Sequence, residues 1–353
     1  MINRQRWGEV DGVPVELFTL SSGAGMTATV CTYGGVVQSL CVPSAGGDTV
    51  DVALGHYRVQ EYVADFASDG ASFFGAIIGR YANRIAGPSF SLDGRVYDLV
   101  GNDGPGDSVA LHGGPGGYHG VVWGACACAG GSGVRLSFVD PDGRNGFPGT
   151  LRVEVEYAVS SDNALRIRYS ATCDAPTVVN LVNHSYFNLA GEGSGDVYDQ
   201  LLAINASVVQ PVDSSQIPVG FAGVGGTPFD FRAMKPIGRD YDNNWVLAGA
   251  GYRLAAVAFA PQTGVALWVY TDRPGVQLYT GGHLTDALVG SGGRPYGPGA
   301  GFALETQAFA DAPNHVGEAG WPTVVLRPGE VLVSRTTYKF AVAGPELADR
   351  IRF

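Results

Sequence analysis

Two titratable residues, His184 and Glu305, stand in stretches that alternate polar and apolar side chains. In Asn180-Leu181-Val182-Asn183-His184-Ser185-Tyr186-Phe187-Asn188-Leu189, a period of two puts His184 and Tyr186 on one face of a strand. In Phe302-Ala303-Leu304-Glu305-Thr306-Gln307, the same period separates Glu305 and Gln307 from Phe302, Leu304 and Thr306. An imidazole and a carboxylate fixed on sheet walls can give one proton and take another near neutral pH, the chemistry of a general acid and base. Other polar residues sit in similarly apolar surroundings: Asn83 with Arg84, His112, Asp242 and Gln277. Burying such groups is unfavourable unless they are paired, so a convergent set implies a polar network or a ligand pocket. Sugar hydroxyls demand donors and acceptors in fixed directions, which Arg, Asn, Gln, Asp and His supply.

Each residue alone also has a purely structural reading. His184 reads as a hydrogen-bonded core histidine, Arg84 as a loop anchor on a carboxylate, and His112 as a surface residue after a turn. Asp242, ahead of Asn243-Asn244-Trp245, reads as a turn cap, and Gln277 and Glu305 as partners of neighbours on a sheet face.

The elements that must position these groups are strands. Runs of strand type recur at 151–157, 165–169, 265–270, 276–279 and 338–342, separated by turn signals such as Asp93-Gly94, Asp142-Gly143, Arg273-Pro274-Gly275 and Arg327-Pro328-Gly329. The pattern is that of an all-β chain, a large antiparallel sandwich or barrel, with short helices expected only around 58–64 and 345–351. No shift in composition marks a boundary, so residues 1–353 are expected to form a single domain, and no repeat of 20–50 residues is visible. The glycine-rich stretch 289–301 leads directly into the strand of Glu305 and reads either as a flap over a site or as a plain surface loop.

Composition removes several functions. With 53 Gly and 20 Pro but 45% hydrophobic residues, 16 Tyr and 16 Phe, the glycines mark turns between strands rather than disorder. A formal charge of −11 opposes nucleic acid and anionic membrane surfaces as partners. The N-terminal residues carry no apolar run of secretory length and no stretch approaches a membrane span, which points to the cytoplasm. Five cysteines, odd in number and without scaffold spacing, read as reduced thiols, and Cys126-Ala127-Cys128 lacks the further ligands zinc needs. Gly113-Gly114-Pro115-Gly116-Gly117 lacks the lysine ending of a phosphate loop, and the acceptor tripeptides at Asn183 and Asn205 would not meet the glycosylation machinery.

Seven blocks, in order, resemble the aldose 1-epimerase (galactose mutarotase) family over nearly the whole chain. They are Gly79-Arg80-Tyr81-Ala82-Asn83-Arg84-Ile85, Leu111-His112-Gly113-Gly114, Asp140-Pro141-Asp142-Gly143 with Gly146-Phe147-Pro148-Gly149, the run around His184, Thr227-Pro228-Phe229-Asp230-Phe231-Arg232, Pro274-Gly275-Val276-Gln277-Leu278-Tyr279-Thr280-Gly281, and Glu305-Thr306-Gln307. The resemblance implies a mutarotase-type β-supersandwich with a monosaccharide pocket on one sheet and no cofactor or metal. It implies His184 as the acid toward the ring oxygen and Glu305 as the base at the anomeric hydroxyl, with Asn83, Arg84, His112, Tyr186, Asp242 and Gln277 holding the sugar. The expected catalytic state is an imidazolium facing a carboxylate, which opposite charges favour at short range. Departures are Asn243 where the family has His, Gly282-His283 where it has Asn after the glycine, a longer turn at 101–110, and Ala310 in place of proline. They leave open which aldose is preferred, galactose, glucose or a pentose. A monomer or weak homodimer is expected. The rival readings are a glycoside-cleaving enzyme using Glu305 and Asp242, a non-catalytic sugar-binding protein, and a mutarotase-like enzyme for sugar phosphates, which would want basic residues beyond Arg84.

Overall fold

The structure, a computed structural model, describes residues 2–128 and 133–353. Its centre is a nine-stranded antiparallel sheet in which Gly133–Asp140, Leu151–Ser160, Ala164–Cys173, Leu332–Val342, Val265–Thr271 and Arg253–Ala260 lie side by side. Each strand-like run read from the sequence falls in one of these strands or in the second sheet, because alternation of apolar and polar side chains survives as alternation of buried and exposed ones. In Leu151–Ser160 the odd residues are buried and the even ones reach solvent.

The second, six-stranded sheet runs in the order Tyr186–Phe187, Phe302–Gln307, Gly275–Tyr279, Asp242–Val246, Val208–Gln210, Ala222–Gly223. It packs on the nine-stranded sheet through Phe302, Leu304 and Thr306. The Tyr338 hydroxyl donates to the Leu304 carbonyl at 3.1 Å, Thr306 meets Thr336, and the rings of Phe187 and Tyr338 lie 5.0 Å apart. Leu304, Val276, Leu278, Ile167, Leu267 and Phe340 share one apolar core, each such side chain contributing about 1.5–3 kcal/mol by leaving water. The opposite face of the six-stranded sheet carries Glu305 and Gln307, as the period of two requires. A third, five-stranded antiparallel sheet spans Ile2–Val10 to Thr49–Asp51.

Two α-helices, Val59–Phe66 and Leu347–Arg350, stand where short helices were expected, and no helix among the described residues is long and apolar enough to cross a membrane. All five cysteines are free thiols.

One expectation changes. The run 180–189 is not one strand. Val182–Asn183 pairs with Ile77–Ile78, Tyr186–Phe187 pairs with the strand of Glu305, and His184 and Ser185 lie at the crossing between them. His184 still keeps its backbone bonds, donating to the Ala76 carbonyl and accepting from Gly75. For the stretch 289–301, left open as a flap or a surface loop, the structure fits the surface loop. Tyr296 is buried and bonds through its hydroxyl to Gly55 and Glu192, Ser291 donates to Gly55, and none of these residues reaches the cavity described below.

Candidate active site

Glu305 lies on the second strand of the six-stranded sheet, directly opposite Gln277 on the next strand. Asp242, read as a turn cap from the sequence, is instead the first residue of the strand Asp242–Val246, opposite Tyr279. His184 arrives from the strand crossing. Its ring stacks on Tyr186 with centroids 5.0 Å apart, so the two do share a face.

The block 79–85 enters from the other side. Arg84–Ala86 forms a two-stranded ribbon with Val109–Leu111, which sets His112 beside Asn83. The Asn83 backbone NH donates to His112 Nδ1 at 3.1 Å, so the neutral ring carries its proton on Nε2. Both residues sit at positive φ, +67° and +53°, and Phe73 at +58°. Three non-glycine residues in this sparsely populated region around one cavity are backbone strain collected at a site. Gly113 makes the approach feasible, because a Cβ there would fall 2.1 Å from the Gly79 carbonyl oxygen.

These groups line a cavity of about 740 Å³ whose walls include Asn83, Arg84, His112, His184, Tyr186, Asp242 and Glu305. Seven of the eight residues singled out in the sequence therefore converge on it. Gln277 does not line it; its side-chain NH₂ donates to Asp242 Oδ1 at 2.6 Å from behind. Arg84 donates through Nε to Asp103 Oδ2 at 2.7 Å and brings Nη1 to 3.6 Å from Asp242 Oδ2, so it anchors a loop and faces the cavity at once.

At the floor, His184 Nε2 lies 3.5 Å from Glu305 Oε1, with both side chains nearly inaccessible to water. His184 Nδ1, Glu305 Oε2 and the Tyr186 hydroxyl have no hydrogen-bond partner among the described residues. Burial drives the His184 imidazole down to about 3 and the Glu305 carboxyl up to about 8, the latter raised further by the Asp242 charge and lowered by Arg84. Both shifts run against the charged pair expected from the sequence, because burial disfavours each ion.

Several wall residues were not read from the sequence. Phe73 packs edge-on against His112 and His119 at 4.8 and 4.9 Å and covers His184 at 5.9 Å. His119, buried and with burial pushing its imidazole down to about 4, also faces the cavity. Asp103 and Asp107 come from the long turn 101–110, and His283, noted as a departure, hydrogen-bonds and stacks on Tyr279 at the rim.

Comparison with known proteins gives the family. The family model described as aldose 1-epimerase matches residues 16–339. The galactose mutarotase of Bos taurus is 39% identical over 339 residues, covering 93% of this chain and 95% of the relative, and the aldose 1-epimerase of Escherichia coli K12 is 37% identical over 345 residues, covering 94% and 96%. Among solved structures, the GalM/aldose epimerase homologue from C. elegans superposes with a TM-score of 0.85 at 29% identity, over 93% of this chain and 99% of the other. The galactose 1-epimerase from Lactobacillus acidophilus superposes with a TM-score of 0.82 at 27% identity, over 97% and 99%. With the fold, the cavity and the matched length all in accord, this chain belongs to the aldose 1-epimerase family, enzymes of the isomerase class.

Proposed function

We propose that the chain interconverts the α and β anomers of a free aldose through His184 and Glu305. The observation that carries this reading is the pair itself: an imidazole nitrogen and a carboxyl oxygen 3.5 Å apart at the floor of a sugar-sized cavity, each group with a further atom unpartnered. Glu305 takes the proton of the anomeric hydroxyl while His184 gives one to the ring oxygen. The C1 to ring-oxygen bond breaks and C1 becomes a carbonyl. Rotation about C1–C2 presents its other face, and reclosure returns both protons. Asn83, Arg84, His112, Tyr186 and Asp242 hold the sugar hydroxyls, with Gln277 supporting Asp242 from behind.

The push toward the neutral forms fits this cycle. The neutral pair and the ion pair hold the same number of protons, and one transfer from Glu305 to His184 converts the first into the second. Sugar hydroxyls that donate to Glu305, together with the Arg84 charge, favour that transfer. Activity therefore follows the singly protonated pair: kcat/KM is flat through neutral pH and falls above about 8, where Glu305 loses the shared proton.

The glycoside-cleaving alternative needs a second available carboxylate, yet Asp242 already accepts from Gln277 and faces Arg84. A sugar phosphate is disfavoured by the wall, where Asp69, Asp103, Asp107 and Asp242 outnumber the single guanidinium of Arg84. The test is the optical rotation of fresh α-galactose, α-glucose and pentoses, galactose first because the mammalian relatives carry its name. Wild-type protein should accelerate the change over buffer, whereas Glu305→Gln and His184→Asn should not. Release of nitrophenol from aryl glycosides, or no acceleration with any aldose, would reject the reading.

A further inference from the structure

Behind the cavity wall, Gln210, Asn244, Gln277 and Glu305 stand directly opposite one another on four neighbouring strands. Gln307 lies two residues beyond Glu305 on the same face. All are buried. Asn244 Nδ2 donates to Gln210 Oε1 at 2.8 Å; Gln307 Nε2 donates to Asn244 Oδ1 at 3.3 Å and to Gln277 Oε1 at 3.2 Å; Gln277 Nε2 donates to Asp242 Oδ1 at 2.6 Å. The row needs space as well as polarity. A Cβ on Gly275 would fall 2.6 Å from Asn244 Oδ1 and 2.9 Å from its Nδ2, which explains a glycine in a fully buried stretch of strand.

The direction of every bond follows from one charge. An ionised Asp242 only accepts, so Gln277 must turn its NH₂ toward it and its carbonyl toward Gln307. Gln307 must then offer its NH₂, which also reaches Asn244 and obliges that residue to present its carbonyl. Asn244 is left with its NH₂ toward Gln210, which must accept. The atoms that this ordering leaves over, Gln307 Oε1 and Gln210 Nε2, are the two side-chain amide atoms of the row that lack partners among the described residues.

Resting on the sugar site proposed above, we propose that Gln210, Asn244 and Gln307, none of which lines the cavity, are positioning residues. They lock the amide of Gln277 so that Asp242 meets the sugar with one fixed acceptor pattern. Reversing the row at Gln307 should therefore harm the site more than merely interrupting it, since a carboxylate at 307 would repel the Gln277 carbonyl and turn that acceptor onto Asp242.

The experiment compares wild type with Gln307→Met, Gln307→Glu and Gln210→Met. It reads galactose affinity by calorimetry, kcat and KM by polarimetry between pH 5.5 and 8.5, and Tm. Gln307→Met should weaken binding roughly tenfold at every pH, and Gln210→Met, remote from the cavity, several-fold, with kcat changed less than KM. Gln307→Glu should be the weakest binder at pH 8 and recover as the pH falls, when the buried carboxyl regains a proton and can donate. Unaltered affinity and KM in all folded variants, with only Tm lowered, would overturn the proposal, as would identical pH dependence for Gln307→Glu and Gln307→Met. Should Gln307 variants not fold, Gln210→Met decides alone. A wild type that binds galactose without epimerising it would reject the catalytic reading, while the affinities would still judge the row.

Discussion

Of the buried pairs of opposite potential charge among the described residues, Arg80 with Asp140 and His184 with Glu305 are built differently. Arg80 donates through Nε to Asp140 Oδ2 at 2.7 Å and through Nη1 to the carbonyls of Pro148 and Gly149 and to the Thr177 hydroxyl; Tyr118 donates to the same Asp140 oxygen at 2.9 Å, and Arg144 approaches the other at 3.8 Å. His184 and Glu305 have one another at 3.5 Å and idle atoms besides. The first pair ties 79–85, 140–149 and 177 into one block. The second leaves unmet hydrogen-bonding capacity where a ligand can meet it. Arg80 and Asp140 thus carry far more hydrogen bonds than His184 and Glu305, and, although Asp140 Oδ1 also lacks a hydrogen-bond partner among the described residues, that difference separates a pair that joins segments from one left open.

The contrast breaks if mutation of each pair has the same consequence. Glu305→Gln should lower kcat by about 10²–10⁴, the usual worth of a positioned proton-transfer group, with no loss of stability, because a neutral amide replaces a carboxyl whose charged form burial already disfavours. Polarimetry and thermal denaturation on one preparation check both halves. Arg80→Met should do the opposite: about 3–5 kcal/mol of stability lost by stranding Asp140, with kcat per folded molecule retained. Equal Tm losses in the two variants would show that satisfaction of polar atoms does not separate the two roles.

The sheets were legible because their strands are buried on one face or packed between layers, where a period of two is enforced by contact. The runs at 151–157 and 265–270 lie within observed strands for that reason. Seven cavity residues were legible because a polar side chain inside an apolar run is costly to bury and so signals a partner or a ligand. What stayed hidden depends on the backbone or on distant pairing. His184 looks like a strand residue until its neighbours are seen to pair with two different sheets, and Phe73 owes its place over the histidines to a left-handed φ that its residue type does not announce. Asp103 is one acid in a glycine-rich turn until Arg84 reaches it. The push of His184 and Glu305 toward their neutral forms was hidden too, because it depends on how little water the floor admits.

Between the two extremes lies the Arg84–Asp103 contact, half-buried and shared between architecture and site. Asp103→Asn keeps a hydrogen-bond acceptor but removes the charge that fixes the guanidinium. It should raise KM for the sugar roughly tenfold, a charge-assisted bond being worth about 1.5 kcal/mol over a neutral one, with a small change in Tm. A KM equal to wild type would place Arg84 wholly with the structural pair.

The smallest effect sharpens the comparison most, because it reads the idle pair without substrate. Glu305 is raised from an ordinary 4.5 to about 8, so the folded protein holds a proton that the unfolded chain releases. That contribution is fully present below 4.5 and is lost as the pH rises toward 8. His184, lowered from 6.5 to about 3, has the reverse sign: its contribution is present above 6.5 and is lost as the pH falls toward 3. The two oppose each other between 4.5 and 6.5, leaving the decline due to Glu305 unopposed from 6.5 to 8. Urea denaturation of wild type and Glu305→Gln should therefore give stabilities that diverge across that window by up to about 1.4 kcal/mol per pH unit, the variant becoming the more stable. Parallel curves would mean that Glu305 is already ionised at neutral pH without substrate, and that the pair at the floor is charged before any sugar arrives.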